Sequence, residues 1–250
     1  MTRDFREAVE SNRCDDRSLD KHLKTLFEDL KNHPVETKNI TKKLGITRVD
    51  EQRDAAECFE NILRNVTTPE ASQLFQGQLT HKSKCSACGT ETSSDDPFWS
   101  LPLELVGSYG DYKVVDGVAD FFREADVSGP NQLFCDSCDA KADATLRMEI
   151  KHHPEVLMLM LKRFKFDYSY MKYVKMNQSV VTPYKLQMPQ DGAQSQIYEL
   201  YAFVEHVGEL KHGHYTVTIR SQDDGKWYHF NDSEVTSVYS QPFKLDITER

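Results

Sequence analysis

Two Cys-x-x-Cys pairs constrain the fold of this chain more than any other feature of its sequence. The first pair is Cys85 and Cys88, and the second is Cys135 and Cys138. Thiolates at this spacing fit a zinc ribbon, in which one tetrahedral ion holds two β-hairpins together. Four sulfur ligands leave no position for water, so this zinc ion would be structural. The alternatives are two redox disulfides or four thiols without a metal.

The length and composition of the chain indicate a globular protein. It has 250 residues, of which 38% are hydrophobic and 28% are charged, and this is enough for a substantial core. The net charge of −9 argues against a nucleic-acid partner and favours a basic protein partner, because phosphate binding needs clustered Lys and Arg. The longest apolar run, Val156 to Leu161, is too short to cross a bilayer, so we expect no membrane partner.

The start of the sequence indicates the cellular compartment. Residues 1–7 carry charges where a secretory signal peptide would be apolar, so we expect a cytoplasmic or nuclear protein. In such a reducing compartment, the six cysteines are expected to be metal ligands or free thiols rather than disulfides.

The hydrophobic pattern predicts helices followed mostly by strands, in an α+β fold. Apolar residues at helical spacing predict helices at 19–30, 54–65 and 118–124. Apolar and β-branched runs predict strands at 73–80, 98–106 and 148–166. Residues 90–97 are expected to form a polar loop. The polar connections are too short for interdomain linkers, which favours one compact domain.

A predicted hairpin near the end of the sequence brings together a base and a partner that can orient it. Residues 215–230 have the pattern of strand, turn and strand. His214 opens the first strand and Asn231 follows the second, so a tight connection would place them side by side. A histidine base needs an acceptor on its far ring nitrogen, and Asn231 and Asp232 are both candidates. The alternative is an ordinary strand histidine beside an ordinary turn.

Several sequence blocks resemble, in the same order, those of the ubiquitin-specific proteases, also called ubiquitin carboxyl-terminal hydrolases. The blocks are Gln52 to Glu57, Leu157 to Phe164, Tyr198 to Gly208, Gly213 to Tyr215 and Trp227 to Asp232. The resemblance implies a papain-like cysteine protease domain shaped like a hand. By this resemblance, one partial catalytic domain covers 1–250, with a helical thumb at 1–72, zinc-ribbon fingers at 73–150 and a β palm at 151–250.

The resemblance also implies roles for individual residues. His214 is similar to the general base, Asn231 to the third triad member, and Asp232 to an adjacent acidic residue that shares or takes over that role. The residues similar to those that hold the ubiquitin tail or line its cleft are Gln52, Asp54, His206 and Gly208. The paired cysteines would bind one structural zinc ion.

The nucleophile block of the family has no counterpart in this sequence. Nothing in residues 1–50 resembles the block of Asn, Gly, Cys and Tyr that opens the first thumb helix. Cys14 and Cys58 lack the helix start or flanking motif that would activate a thiol. We therefore expect that the sequence begins after its catalytic cysteine, with the N-terminal part of the thumb missing, and that these 250 residues alone do not cleave ubiquitin conjugates.

Two functions follow from the resemblance. The first is a deubiquitinase, which hydrolyses the bond after the C-terminal glycine of ubiquitin and acts on ubiquitin and ubiquitinated proteins. The second is a catalytically silent ubiquitin-binding module, which keeps the fingers, the palm and the tail cleft. A zinc-ribbon adaptor for nucleic acid is disfavoured by the acidic balance of the chain.

Overall fold

The computed structural model describes residues 2–48, 51–105, 110–189, 196–210 and 212–239. The helices are α1 (Arg3–Ser11), α2 (Leu19–Leu30), α3 (Lys38–Lys43), α4 (Ala55–Asn65), α5 (Pro69–Gln73) and α6 (Val114–Phe121). The strands are β1 (Gly77–Cys85), β2 (Glu91–Phe98), β3 (Leu101–Glu104), β4 (Tyr112–Lys113), β5 (Ala125–Val127), β6 (Leu133–Cys135), β7 (Ala140–Ala142), β8 (Ala144–His152), β9 (Leu159–Lys162), β10 (Phe164–Asp167), β11 (Lys172–Lys175), β12 (Val180–Val181), β13 (Lys185–Gln187), β14 (Ile197–Glu199), β15 (Ala202–Glu209), β16 (His212–Arg220), β17 (Trp227–Asn231) and β18 (Glu234–Val238). Helices dominate the first part and strands the rest, which confirms the α+β class.

The predicted helices form, with shifts at their ends. α2 covers the predicted range 19–30 in full, and α4 begins directly after its N-cap, Asp54. α6 begins at Val114, earlier than predicted, because Val114 and Val118 are both buried and lie one turn apart. The sequence pattern did not predict α1, α3 and α5, which are short helices. None of the helices in the described ranges has the length and apolar character needed to cross a membrane.

The predicted loop at 90–97 is wrong, because residues 91–97 belong to a strand. β2 pairs antiparallel with β1 along its whole length. It is the edge strand of its sheet, and its side chains are exposed from Glu91 to Pro97. An edge strand needs no apolar face, and it tolerates proline because one row of its backbone groups lies outside the ladder. The polar composition therefore concealed the strand.

The other predicted strands form with different limits. The range 73–80 becomes β1, which starts later because α5 occupies the first residue of the range. The range 148–166 is divided among β8, β9 and β10, with Pro154 in the first gap. The range 98–106 becomes β3, and its last residue, Val106, lies outside the described residues.

The described residues form two compact units. The first comprises those within 1–76, 166–175 and 201–240, and the second those within 77–165 and 176–200. The first unit contains α1 to α5 and an antiparallel sheet of order β15-β16-β17-β18. The second unit contains a sheet of order β2-β1-β8-β5, the hairpin β6-β7 and the pairs β3-β9, β4-β12 and β13-β14.

Aromatic side chains hold the helices of the first unit together. Phe75 follows α5 and is buried. Its ring meets the ring of Phe5 on α1 edge-on, with centroids 6.0 Å apart, and the ring of Phe59 on α4 in the same way at 5.2 Å. Edge-to-face pairs of this kind add to the free energy gained from burial. Phe75 thus links α1 and α4.

A buried carboxylate fastens α2 to the segment before α5. Asp20 is fully buried, and its oxygens accept hydrogen bonds from the backbone N–H groups of Thr67 and Thr68 at 2.8 and 2.9 Å. The hydroxyl groups of the same two threonines donate to it at 3.0 and 2.6 Å. Burial opposes ionisation of Asp20, but these hydrogen bonds outweigh it and lower the pKa of the carboxyl group.

The core of the second unit lies between β1, β3 and α6. Its fully buried side chains include Leu101 and Leu103 on β3 and Met188 after β13, and Val118 on α6 packs with them. Strands β3 and β9 are parallel neighbours, and both are apolar. β1 starts beside this core and runs to Cys85, which is the first cysteine of the pairs.

Candidate active site

The hairpin of β16 and β17 carries the candidate base. The two strands pair antiparallel from Val217↔Phe230 to Arg220↔Trp227. Because side chains alternate between the faces of a strand, this register places His214 and Asn231 on the same face. Asn231 Oδ1 lies 2.7 Å from His214 Nε2. The two residues that the sequence predicts to be neighbours therefore form a hydrogen bond.

This hydrogen bond determines which ring nitrogen of His214 can act as a base. An amide oxygen can only accept a hydrogen bond, so His214 Nε2 carries the proton and donates it to Asn231. In the neutral ring, the lone pair then lies on Nδ1. Nδ1 of His214 is consequently the atom that can take a proton from a nucleophile.

Asp232 is a more distant neighbour of the base. Its Oδ2 atom lies 4.0 Å from His214 Nε2, and 82% of its side chain is exposed. Its backbone has a φ of 50° in the turn between β17 and β18, a left-handed conformation that Asp tolerates better than most residues. The distances identify Asn231 as the residue that orients the ring, and Asp232 as a nearby exposed charge.

Gln52 contacts the backbone beside the base. Its Oε1 atom accepts a hydrogen bond from the N–H group of Gly213, with a distance of 3.2 Å. Gly213 directly precedes His214 in β16. The segment before α4 and the strand that carries the base are therefore joined by a side chain that the sequence assigned to ubiquitin-tail binding.

His206 and Gly208 lie on β15, the strand next to the base. His206 pairs with Tyr215 and Gly208 with Gly213, so the two pairs flank the position of His214. The rings of His206 and Tyr215 are 4.6 Å apart, and a side chain at Gly213 would collide with the His206 ring. Burial and then the charge of Lys175 lower the pKa of His206.

Asp54 has a structural contact that the sequence did not assign to it. Its Oδ1 atom accepts hydrogen bonds from the N–H groups of Ala56 at 2.8 Å and Glu57 at 3.0 Å, so it is the N-cap of α4. The side chain remains exposed. An N-cap leaves part of the carboxylate accessible, so this contact is compatible with a second ligand.

No cysteine thiol is paired with the base in the part of the chain that the structure describes. The side-chain partners of His214 are Asn231 and Asp232. Of the two cysteines outside the Cys-x-x-Cys pairs, Cys58 lies on α4, and burial raises the pKa of its thiol. A raised pKa is the opposite of what an activated nucleophile needs. Cys14 lies between α1 and α2.

The four paired cysteines lie together at the ends of two hairpins. Cys85 ends β1 and Cys135 ends β6, and the second cysteine of each pair lies in the turn that follows. Their sulfur atoms all lie within 4.8 Å of one another, with 3.6 Å between Cys88 and Cys135 and 3.9 Å between Cys85 and Cys138. All four are free of disulfide bonds. This cluster could hold a metal ion.

The electrostatics of the cluster favour a bound cation. Hydrogen bonds to Thr90 and contact with neighbouring sulfurs lower the pKa of Cys88 to about 6. Contacts with Cys88 and then Cys135 raise the pKa of Cys138 to about 12. One sulfur therefore ionises readily, while its charge makes ionisation of the next one costly. A cation between the sulfurs would remove this repulsion.

Comparison with known proteins identifies the family. The sequence model named "Ubiquitin carboxyl-terminal hydrolase" matches residues 1–248. The chain belongs to the ubiquitin carboxyl-terminal hydrolase family. This confirms the resemblance that the ordered blocks indicate.

Individual relatives match nearly the whole chain. Ubiquitin carboxyl-terminal hydrolase 47 of Xenopus laevis is 27% identical over 98% of the chain, and its Homo sapiens counterpart is 26% identical over 98%. Ubiquitin carboxyl-terminal hydrolase 48 of Danio rerio is 29% identical over 93%. The chain spans about a quarter of the length of these curated relatives, since each alignment covers 24% of the relative.

Two contacts near the base of this ubiquitin carboxyl-terminal hydrolase domain had no signal in the sequence. Thr218 is buried, and its hydroxyl oxygen lies 3.0 Å from Nδ1 of His229, on the same sheet face as His214. Lys175 donates hydrogen bonds to the backbone of β15. Lysine is common in polar strands, and threonine is common in strands that alternate polar and apolar residues. Neither residue stands out in the sequence, so only the fold reveals these contacts.

Proposed function

We propose that this chain is a deubiquitinase domain whose general base is His214. The hydrogen bond between His214 Nε2 and Asn231 Oδ1 carries the proposal, because it orients the ring and leaves the lone pair on Nδ1. Membership of the ubiquitin carboxyl-terminal hydrolase family supports ubiquitin and ubiquitinated proteins as partners. The reaction is hydrolysis of the isopeptide or peptide bond after the C-terminal glycine of ubiquitin.

The chemistry follows from the tautomer of the base. Nδ1 of His214 takes the proton of a cysteine thiol, and the thiolate attacks the carbonyl carbon of the terminal glycine. The imidazolium then returns its proton to the leaving amine, and a water molecule, deprotonated by the same nitrogen, releases the acyl group. Asn231 keeps the ring in place through these steps, and the carboxylate of Asp232 lies 4.0 Å from the same ring nitrogen.

The tail of ubiquitin is proposed to bind beside this base. Gln52, His206 and Gly208 all contact or pair with the residues that flank His214. Asp54 adds a negative charge at the start of α4. A peptide that ends in a flexible, basic tail would be suited to this set of backbone groups and charges.

We also propose that the 250-residue chain by itself binds ubiquitin without cleaving it. His214 has no thiol partner among the described residues, and burial raises the pKa of Cys58. This observation favours a second candidate function, a catalytically silent ubiquitin-binding module.

The metal of the cysteine cluster is proposed to be a single structural zinc ion. Zinc binds thiolates at about 2.3 Å, and a tetrahedron of that size has edges of about 3.8 Å. The distances of 3.6 and 3.9 Å between sulfurs are close to this value. Cys85, Cys88, Cys135 and Cys138 would hold the ion, and the ion would lock the β1-β2 and β6-β7 hairpins together.

The test of these proposals measures both cleavage and trapping. The chain is incubated with a fluorogenic ubiquitin substrate, and separately with ubiquitin vinyl sulfone, followed by intact mass spectrometry. We expect no turnover and no covalent adduct. Turnover that is abolished by His214→Ala, or an adduct on Cys14 or Cys58, would refute the absence of a nucleophile and support an active enzyme. Cys14→Ser and Cys58→Ser serve as controls for any labelled thiol.

A further inference from the structure

We propose that Lys175 is a positioning residue for His214 and acts through the edge strand β15. The ammonium group of Lys175 donates hydrogen bonds to the backbone carbonyl oxygens of His206 and Gly208, both at 2.8 Å. The catalytic meaning of this contact rests on the proposed function, whereas the positioning of the ring does not.

The contact provides hydrogen-bond donors to the unpaired edge of the sheet. β15 is an edge strand, and in the described part of the chain it pairs only with β16. Carbonyl groups of residues two apart point the same way from a strand, so His206 and Gly208 present their oxygens on the outer side of β15. Lys175 binds both of them with a half-buried charge. Charge-assisted hydrogen bonds are roughly twice as strong as neutral ones.

The backbone of His214 depends on β15 for its position. Within the described residues, β16 pairs with β17 only from Val217 to Arg220, which is beyond His214. His214 itself pairs with Val207 on β15. Gln52 also holds the backbone at Gly213, but the strand pairing of His214 itself is made with β15, so a contact that holds β15 at Val207 helps to hold the backbone of His214.

Lys175 binds on both sides of that pairing position. His206 and Gly208 are the neighbours of Val207, and they pair with Tyr215 and Gly213, the neighbours of His214. Gly208 has a φ of 91°, a left-handed conformation that glycine adopts without steric cost. The hydrogen bond from Lys175 holds the carbonyl of this glycine and so restrains the end of β15.

Lys175 lies on the hairpin of β10 and β11, which is held together by aromatic contacts. Lys175 ends β11, which follows a turn after β10. In this hairpin the ring of Phe166 meets those of Tyr168 and Tyr173 edge-on at 5.1 and 5.3 Å. The Nζ atom of Lys172 on the same strand lies 5.6 Å from the centre of the Tyr170 ring. Lys172 therefore offers a matched control with the same charge and a different contact.

The test compares Lys175→Met, Lys175→Arg and Lys172→Met by nuclear magnetic resonance of the 250-residue chain. The readouts are the Nε2–H proton of His214 and the hydrogen exchange of backbone amides in β15 and at His214 and Tyr215. In Lys175→Met we expect these amides to exchange about tenfold faster, as the loss of one charged hydrogen bond would give, and the Nε2–H signal to weaken. Lys175→Arg should restore both, and Lys172→Met should change neither.

Three results would overturn the proposal. The first is unchanged amide exchange and an unchanged His214 signal in Lys175→Met, and the second is an equal change in Lys172→Met. The third is global unfolding of both Lys175→Met and Lys175→Gln, which would contradict a local positioning role. Lys175→Gln, which keeps one donor group, is measured if Lys175→Met does not fold. Titration of each variant with ubiquitin tests the proposed function separately from the positioning role of Lys175. Absence of ubiquitin binding by the unmodified chain refutes the proposed function, while the resonance data still decide the role of Lys175.

Discussion

At the scale of single residues, the orientation of the His214 ring and the position of its Nε2 proton depend on one amide oxygen. Asn231 accepts from Nε2 at 2.7 Å, whereas the carboxylate of Asp232 is 4.0 Å away and largely exposed. In Asn231→Ala we expect the protected Nε2–H proton to disappear and the unfolding free energy to fall by about 1 kcal/mol. Asp232→Ala should keep the proton signal. Resonance spectra of histidine-labelled protein measure this, and the opposite pattern in the two variants would assign the orienting role to Asp232.

Asp20 is the buried charge that joins α2 to the segment before α5. Replacing it with Ala leaves two backbone N–H groups of the 67–68 segment without an acceptor, so we expect a loss of about 2 to 3 kcal/mol in unfolding free energy. Urea denaturation at neutral pH measures this loss. Glu28→Gln, on an exposed position of the same helix, is the control and should cost less than about 0.5 kcal/mol.

The lowered pKa of Asp20 also sets the sign of a pH effect. Because the pKa is lower in the folded state, the stabilisation is fully present above the unfolded pKa of about 3.9 and is lost progressively as the pH falls from there through the lower folded pKa. The stability difference between the unmodified chain and Asp20→Asn should therefore shrink as the pH falls below about 5. A difference that grows on acidification would contradict the hydrogen-bonded carboxylate.

At the scale of elements, Asp54 allows a structural and a binding role to be separated. Asn is also a good N-cap but carries no charge, whereas Ala removes the cap and costs about 1 kcal/mol. We expect Asp54→Ala to lower both stability and ubiquitin affinity, and Asp54→Asn to keep stability while lowering affinity. Thermal unfolding and ubiquitin titration measure the two effects. Full affinity in Asp54→Asn would limit this residue to capping α4.

The two cysteine hairpins should depend on a metal ion for their arrangement. Cys135→Ser removes one of four ligands, so we expect the bound zinc to fall well below one ion per chain and Tm to fall. A loss of about 3 kcal/mol would lower Tm by roughly 6 to 12 °C in a domain of this size. Elemental analysis and calorimetry measure both quantities. Cys14→Ser, outside the cluster, should change neither, and full zinc content in Cys135→Ser would contradict the four-sulfur site.

Elements with strong local signals could be predicted from the sequence, and those defined by tertiary pairing could not. α2 has a full apolar stripe and an N-cap serine, so its limits are those that periodicity gives. β2 is polar and exposed along nearly all of its length, and it is a strand only because β1 supplies its hydrogen bonds. Local sequence carries no information about such a partner.

In the candidate site, too, local contacts could be predicted from the sequence and long-range contacts could not. His214 and Asn231 could be predicted as neighbours because a hairpin with a turn between them has only a few registers. The contact of Gln52 with Gly213 joins distant parts of the chain, and Lys175 reaches backbone atoms rather than a recognisable side chain. Backbone acceptors leave no trace in a sequence, so contacts of this kind require the fold.

At the scale of the whole molecule, we propose a ubiquitin-binding site built around His214, which has no thiol partner among the described residues. The claim requires binding without chemistry from the 250 residues. The family match over 1–248 supports ubiquitin as the ligand. About half of the His214 side chain is accessible, as the proposed ubiquitin-tail site requires.

The most direct test is a calorimetric titration of the chain with ubiquitin and with ubiquitin that lacks its C-terminal tail. We expect one ubiquitin to bind per chain at micromolar concentrations, with the affinity reduced when the tail is absent. Intact mass spectrometry of the titrated sample should recover both proteins unmodified. Absence of heat at high micromolar concentrations, or equal affinity for the two forms of ubiquitin, would contradict a ubiquitin-tail site beside His214.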